Sequence, residues 1–360
     1  MNDQPKIQPI FQPIFKGTGE PNPDPGLDPL AHLPPPPPWR QSDRRKQERG
    51  KTFQAQPQEI ELVNAALYLR RPLLVTGKPG SGKTSLAYAI ARELNLGEVL
   101  YWPITTRTTL KDGLYLYDAI ARLQDVGEKE RGNFDNIGNY IRLGSLGTAL
   151  LPSDKPRVLI VDEIDKSDID LPNDLLTVFE EGEFEIPELV RIEEKKPEVT
   201  VRTAYKDKQE FTFADTTATI KGGKITSQQF PLMVLTSNGE RDFPPPFLRR
   251  CVRLTMAEPD EERLEAIVKA HLKQEKDGEK LIAQSEELIQ QLITRFVNKR
   301  NDRSKGDLAT DQLLNAIYLV TRERAPNVSD NVHTPDDLIE RLWKHLSSSE
   351  DQQSDSSRPG

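Results

Sequence analysis

Gly77-Lys78-Pro79-Gly80-Ser81-Gly82-Lys83-Thr84 sets glycines, a lysine and a hydroxyl at the spacing G-x-x-x-x-G-K-[ST]. Glycines let backbone N–H groups close around an anion. The lysine adds a mobile positive charge. An apolar run, Leu73-Leu74-Val75-Thr76, leads in, and a helical pattern from Leu86 to Leu94 leads out. A strand, a loop and a helix in that order present N–H groups and a positive helix end to phosphate oxygens. In this arrangement Lys83 would reach β- and γ-phosphates, and the Thr84 hydroxyl would hold Mg²⁺. The expected nucleotide contacts are Gly77, Lys78, Pro79, Gly80, Ser81, Gly82, Lys83, Thr84 and Ser85. The competing reading is a chance glycine loop, which the flanking strand and helix disfavour.

Val158-Leu159-Ile160-Val161-Asp162-Glu163 is a buried-strand pattern that ends in two carboxylates. Asp162 at the strand tip suits Mg²⁺, which prefers oxygen ligands and keeps part of its water. Glu163 would orient or deprotonate a water aimed at a γ-phosphate. An Asp-Glu pair alone is a weak signal; about 80 residues after a phosphate loop it becomes a strong one. Asp165 and Lys166 read as surface or helix-cap residues. Leu232-Met233-Val234-Leu235-Thr236 is followed by Ser237-Asn238, so an amide stands at another strand tip. Asn238 would hold the attacking water or the phosphate, with a turn-forming asparagine as the alternative. Pro244 to Cys251 contains Arg249 and Arg250. Either guanidinium fork suits a neighbouring subunit's γ-phosphate, Arg250 first and Arg249 second, with ordinary salt bridging as the alternative.

These residues need a scaffold that brings strand tips together. Short apolar strands recur at Leu73–Thr76, Val99–Trp102, Val158–Val161, Leu232–Thr236 and Val252–Leu254, mostly separated by helical patterns. That alternation predicts an α/β fold with a parallel sheet covered on both faces. Residues 57–70 read as an amphipathic helix with Ile60, Val63, Leu67 and Tyr68 on one side, ended by Pro72. Two insertions interrupt the alternation. Residues 105–150 hold a helix near Asp118–Gln124 and a glycine-rich run from Gly138 to Gly147. Residues 183–230 hold a hairpin pattern that pairs Val199 and Val201 with Phe211 and Phe213. From Pro259 the periodicity is helical, through Leu264, Ile267 and Val268, then Leu288 to Val297, then Leu313 to Val320. The expected domains are a disordered proline-rich tail (1–50), a nucleotide-binding core (51–257), a helical lid (258–346) and a disordered tail (347–360).

Residues 1–50 hold twelve of the 29 prolines, a density that favours extended polyproline II over helix or sheet. A stiff linker is the favoured reading. A docking peptide running from Leu33 to Trp39 and Arg40 is the alternative. Arg40 to Lys51 carries six positive and two negative side chains and reads as a solvated charge run. The net charge of −8 argues against a generic nucleic-acid binder. The single cysteine, Cys251, precludes an internal disulfide. No apolar run approaches the length of a membrane span. Met1-Asn2-Asp3-Gln4-Pro5 shows no leader pattern, so a cytoplasmic location is expected.

The four elements, in this order and spacing, resemble an AAA+ ATPase. Asp162-Glu163-Ile164-Asp165, Leu171-Pro172-Asn173-Asp174-Leu175-Leu176, Glu180-Glu181-Gly182 and the two insertions resemble its MoxR-like branch. The resemblance spans roughly residues 53–320. Gly77 to Thr84 corresponds to Walker A, Val158 to Glu163 to Walker B, Asn238 to sensor 1, and Phe247 to Arg250 to the arginine-finger region. The resemblance implies a five-stranded parallel sheet with helices on both faces and a C-terminal helical lid. It also implies ATP and Mg²⁺ bound between subunits of a homo-oligomeric ring. Its implied activity is chaperone-like remodelling of protein partners, often ones with a von Willebrand A domain. Relatives place a sensor-2 arginine in a Ser-Pro-Arg context; here Leu308-Ala309-Thr310-Asp311-Gln312 stands there, so Asp311 replaces it. Arg303 and Arg322 are the nearest substitutes. Phe53-Gln54-Ala55-Gln56-Pro57 stands where relatives carry Val-Gly-Gln, and its backbone would border the adenine. Two other functions compete: a nucleotide-gated scaffold with little hydrolysis, favoured by the lost sensor 2, and a DNA-linked motor. The motor is disfavoured because Arg191, Lys195, Lys196, Arg202, Lys206 and Lys208 are interleaved with Glu193, Glu194 and Glu198 rather than with aromatics.

Overall fold

The computed structural model describes residues 36–40, 50–125, 137–206, 215–274, 277–301, 308–321, 339–340 and 342–343. Phe211, Phe213, Lys208, Arg303, Arg322 and residues 347–360 lie outside these described residues. In chain order the strands are β1 Leu73–Thr76, β2 Leu100–Pro103, β3 Tyr115–Tyr117, β4 Ile141–Leu143, β5 Val158–Asp162 and β6 Glu183–Glu185. They continue as β7 Glu198–Arg202, β8 Thr217–Lys221, β9 Lys224–Thr226, β10 Leu232–Ser237 and β11 Val252–Thr255. The chain divides into two units, residues 49–258 and residues 1–48 with 259–360.

In the first unit a five-stranded sheet runs in the order β11-β1-β10-β5-β2, and all four pairings are parallel. The three inner strands are near-continuous apolar runs because helices cover both of their faces. Leu73, Val75, Ile160, Val234 and Leu235 are all buried. The edge strand β2 alternates instead, with Trp102 buried and Tyr101 exposed. Register aligns the carboxyl ends: Thr76 pairs with Ser237, Leu235 with Val161, and Pro103 with Asp162. Strand β10 therefore lies between the strand that feeds the glycine loop and the strand that ends in Asp162.

The two insertions form one sheet. Its order is β3-β4-β7-β8-β9-β6, joined across the insertions where Arg142 of β4 pairs in parallel with Arg202 of β7. The hairpin partner of Val199 and Val201 is β8, with Ile220 and Ala218 opposite them, rather than Phe211 and Phe213. The glycine-rich run is explained by backbone crowding. A Cβ on Gly138 would lie 2.0 Å from the Thr200 carbonyl oxygen, and one on Gly147 would lie 1.9 Å from that of Leu114.

The helix Pro57–Leu69 forms as expected, but a different stripe is buried. Glu59, Val63 and Ala66 face inward, while Ile60 and Tyr68 are exposed. Glu59 tolerates burial because its carboxylate accepts the Gln56 N–H at 2.9 Å, closing a capping box.

The second unit contains helices Glu261–Leu272, Gly278–Asn301 and Thr310–Val320. Asp260 caps the first by accepting the Arg263 N–H at 2.8 Å. Leu264, Val268, Ile293, Phe296, Leu313, Ile317 and Trp343 form its core. Trp39 packs against that core from the proline-rich segment.

Candidate functional site

The glycine loop departs from β1 with Gly77, Gly80 and Gly82 at φ 155°, 77° and 96°, conformations that side chains resist. At Gly77 an added Cβ would also meet the Met256 carbonyl oxygen at 2.7 Å. Gly82 starts the helix Lys83–Glu93, so the loop's N–H groups and the helix end converge. The Lys83 ammonium donates to the Gly77 and Lys78 carbonyls at 2.6 and 2.9 Å, curled back onto its own loop. Burial lowers its pKa, against the opposing pull of Asp165, Asp162 and Glu163. Among the described residues the buried Ser81 hydroxyl has no hydrogen-bond partner. An orphaned donor beside a buried ammonium fits an anion held by this loop. Lys78, Pro79 and Gly80 are exposed, and Lys78 lies 3.4 Å from Glu258. Ser85 is half-buried in the helix.

Asp162 is the hub of the acidic side. Its Oδ1 accepts from the Thr84 hydroxyl at 3.1 Å and the Thr236 hydroxyl at 2.7 Å. Its Oδ2 accepts from the Tyr101 hydroxyl at 2.6 Å. The tips of β2, β5 and β10 and the glycine-loop helix thus meet on one carboxylate. A hydroxyl and a carboxylate are the hard oxygen donors that suit Mg²⁺, which takes few protein ligands and completes its shell with water and phosphate.

Glu163 follows in a left-handed conformation, φ 59° and ψ 50°, which costs a non-glycine residue about 1–3 kcal/mol. Its N–H is fixed by the Thr236 hydroxyl at 2.9 Å. Its carboxylate sits between the Lys166 ammonium at 2.7 Å and the Asn238 amide at 3.4 Å. Asn238 is itself positioned by Asp165, whose Oδ2 accepts the Asn238 and Glu240 N–H groups at 2.8 and 3.1 Å. Asp165 is buried rather than on the surface, because two loop amides and the nearby Lys83 charge offset its desolvation. Lys166 is half-exposed and is bound to Glu163 rather than capping a helix.

The arginine pair separates. Both end the helix Pro245–Arg250. Arg250 donates through Nε and Nη2 to Glu180 of the same chain and through Nη1 to the Pro246 carbonyl at 3.1 Å. Arg249 is exposed; its carbonyl accepts from Arg71, and no ion pair to its guanidinium is seen among the described residues. In the second unit Asp311 lies in the first turn of the helix Thr310–Val320.

Residues that the motifs did not point to are Tyr101 and Thr236. A hydroxyl at the tip of β10, between two phosphate-site strands, was a readable signal for Thr236. Tyr101 carried none, because its role depends on β2 lying beside β5.

A parallel five-stranded sheet, a glycine loop after β1 and an acidic tip on β5 define a P-loop nucleotide-binding domain of the AAA+ class. Residues 72–251 match the AAA domain (dynein-related subfamily), half of the 360-residue chain, and the chain belongs to that family. No curated protein matches it. Solved structures similar to it include NtrX from Brucella abortus in complex with ADP, at 14% identity and TM-score 0.39, covering 85% of this chain and 60% of that one. Another is C. elegans PCH-2, at 13% identity and TM-score 0.32, covering 79% of this chain and 62% of that one. The chain thus spans less than two thirds of each of these structures. No helix among the described residues is long and apolar enough to cross a membrane.

Proposed function

We propose that this chain hydrolyses ATP in a ring of like subunits and uses the cycle to remodel protein partners, in the manner of the MoxR-like branch. The observation that carries the hydrolytic reading is the placement of Glu163. Its carboxylate is aimed by Asn238, and its backbone is anchored to the same Thr236 hydroxyl that binds Asp162. A structural ion pair would need neither the left-handed backbone nor the shared hydroxyl.

In this reading Gly80, Gly82, Lys83 and Ser81 receive the triphosphate, and Lys83 exchanges its two loop carbonyls for phosphate oxygens. Thr84 and Asp162 would hold Mg²⁺, which when bound neutralises phosphate charge. Glu163 accepts a proton from the attacking water, and Asn238 orients that water. An arginine from a neighbouring subunit offsets charge on the γ-phosphate. Arg249 takes that role ahead of Arg250, because the Arg250 guanidinium is already bound to Glu180 in its own chain. The sheet built from the two insertions provides the face for a protein partner, a von Willebrand A domain being the branch's usual type. Nucleic acid is disfavoured by the mixed charge of that sheet.

The test is Glu163→Gln at ring-forming concentration. Phosphate release should fall by about 10²–10⁴, while binding of a fluorescent ATP analogue persists. Turnover near wild type would remove Glu163 from its role. A wild-type chain that binds ATP and assembles but releases no phosphate would favour the scaffold reading, which the replacement of the sensor-2 arginine by Asp311 supports.

A further inference from the structure

The proline-rich segment does not end as a free linker. Pro38–Arg40 forms a single 3₁₀ turn, closed by the Arg40 N–H donating to the Pro37 carbonyl at 2.8 Å. That turn presents Trp39 to the helical unit. The indole meets the His271 ring edge-on at 5.6 Å and the Tyr318 ring at 5.4 Å. Its Nε1 donates to Asn315 Oδ1 at 3.2 Å. Asn315 and Tyr318 lie three residues apart on one helix, so they form neighbouring positions of one face. His271 closes the groove from the end of the helix Glu261–Leu272. Edge-on ring pairs with a satisfied indole N–H are the way aromatic grooves read a tryptophan.

Two features distinguish Trp39 from a core residue. Trp343 of the same unit is 0% exposed, whereas Trp39 is only partly buried and packs from outside the core. Trp39 also arrives on a proline-flanked turn whose conformation is preset, so little entropy is lost on docking.

We propose that His271, Asn315 and Tyr318 line a docking groove for a tryptophan-bearing, proline-rich peptide, and that this chain fills the groove with its own residues 36–40. The segment is a separable ligand held in cis, not a fixed part of the helical core. The tether keeps its effective concentration near the millimolar range, so a free peptide competes poorly until Trp39 is removed.

A fluorescein-labelled peptide reading Leu33 to Arg40 is titrated into full-length wild type and full-length Trp39→Ala, with anisotropy as the readout. The variant should bind it about tenfold more tightly or better. Adding Asn315→Leu to that variant should abolish the gain, and a peptide with alanine at the tryptophan position should not bind. Equal affinity for both chains, or no binding to Trp39→Ala, overturns the proposal. Should Trp39→Ala not fold, wild type labelled with 5-fluorotryptophan decides the matter. Its three tryptophans give three fluorine signals, and Trp39→Phe assigns one of them. Unlabelled peptide at about ten times that effective concentration should move the signal to the position of a solvent-exposed tryptophan; a signal that stays put overturns the proposal.

Discussion

The Lys166 ammonium lies 2.7 Å from one oxygen of Glu163, while the Asn238 amide reaches the other oxygen at 3.4 Å. The first contact restrains the carboxylate proposed as the base; the second aims it. The hydrogen bond to Glu163 is the main cause that raises the Lys166 pKa, so the ammonium stays charged through neutral pH. Half-exposed pairs of this kind contribute about 0–1 kcal/mol. Lys166→Met should therefore raise basal phosphate release, by up to about fivefold, which is the rate equivalent of that energy. A steady-state phosphate assay checks it, and a slower variant would show that Lys166 assists rather than restrains.

Thr236 is buried and serves both acidic residues at once, donating to Asp162 and accepting from Glu163. Thr236→Val keeps the shape and deletes both bonds. Leaving the part-buried Glu163 N–H and a carboxylate oxygen without this partner should cost about 1–3 kcal/mol, read as a lowered urea midpoint. The Mg²⁺ concentration for half-maximal turnover should rise as well. Unchanged stability would mean that water replaces the hydroxyl.

Arg249 and Arg250 should behave differently. Arg249→Ala should lower turnover by about 10³ at ring-forming concentration. Mixing it with Lys83→Ala should restore part of the rate, since each variant supplies what the other lacks. Arg250→Ala loses a partly exposed pair with Glu180 and should cost about 1 kcal/mol of stability or less. If instead Arg250→Ala abolishes turnover while folding normally, the order of the two is reversed.

His271 is held neutral by burial, with its pKa lowered to about 4. Unfolded histidine titrates near 6.5. Between those values the unfolded chain binds the extra proton, so the contribution is fully present above about pH 6.5 and is lost as pH falls toward 4. The loss is about 3 kcal/mol at most. Denaturant midpoints across that window should fall more steeply for wild type than for His271→Phe. Parallel curves would place His271 in solvent contact.

The sequence revealed what is local. The strands β1, β5 and β10 stood out as continuous apolar runs, because a two-sided parallel sheet demands that pattern. Gly77, Gly82, Lys83 and Thr84 were legible because phosphate cradling needs fixed types at fixed spacing. Pairings between distant segments were not. Nothing near Arg142 announces that it will face Arg202, so two insertions read as separate features when they form one sheet. Asp165 looked like a surface carboxylate because its partners are backbone amides 73 and 75 positions downstream, which no side-chain pattern marks. Periodicity along the first helix gave a face but not which face is covered, and Tyr68 proved 87% exposed.

Trp39 and Asn315 are 276 positions apart in the chain, and this fixes an order of events at the ribosome. At about 5–20 residues per second, the indole emerges roughly 10–60 s before its cleft has been synthesised. For that interval the leading tract is a bare aromatic hook on a nascent polypeptide. Closure of the cleft over it has to wait for the helix Thr310–Val320 to be made.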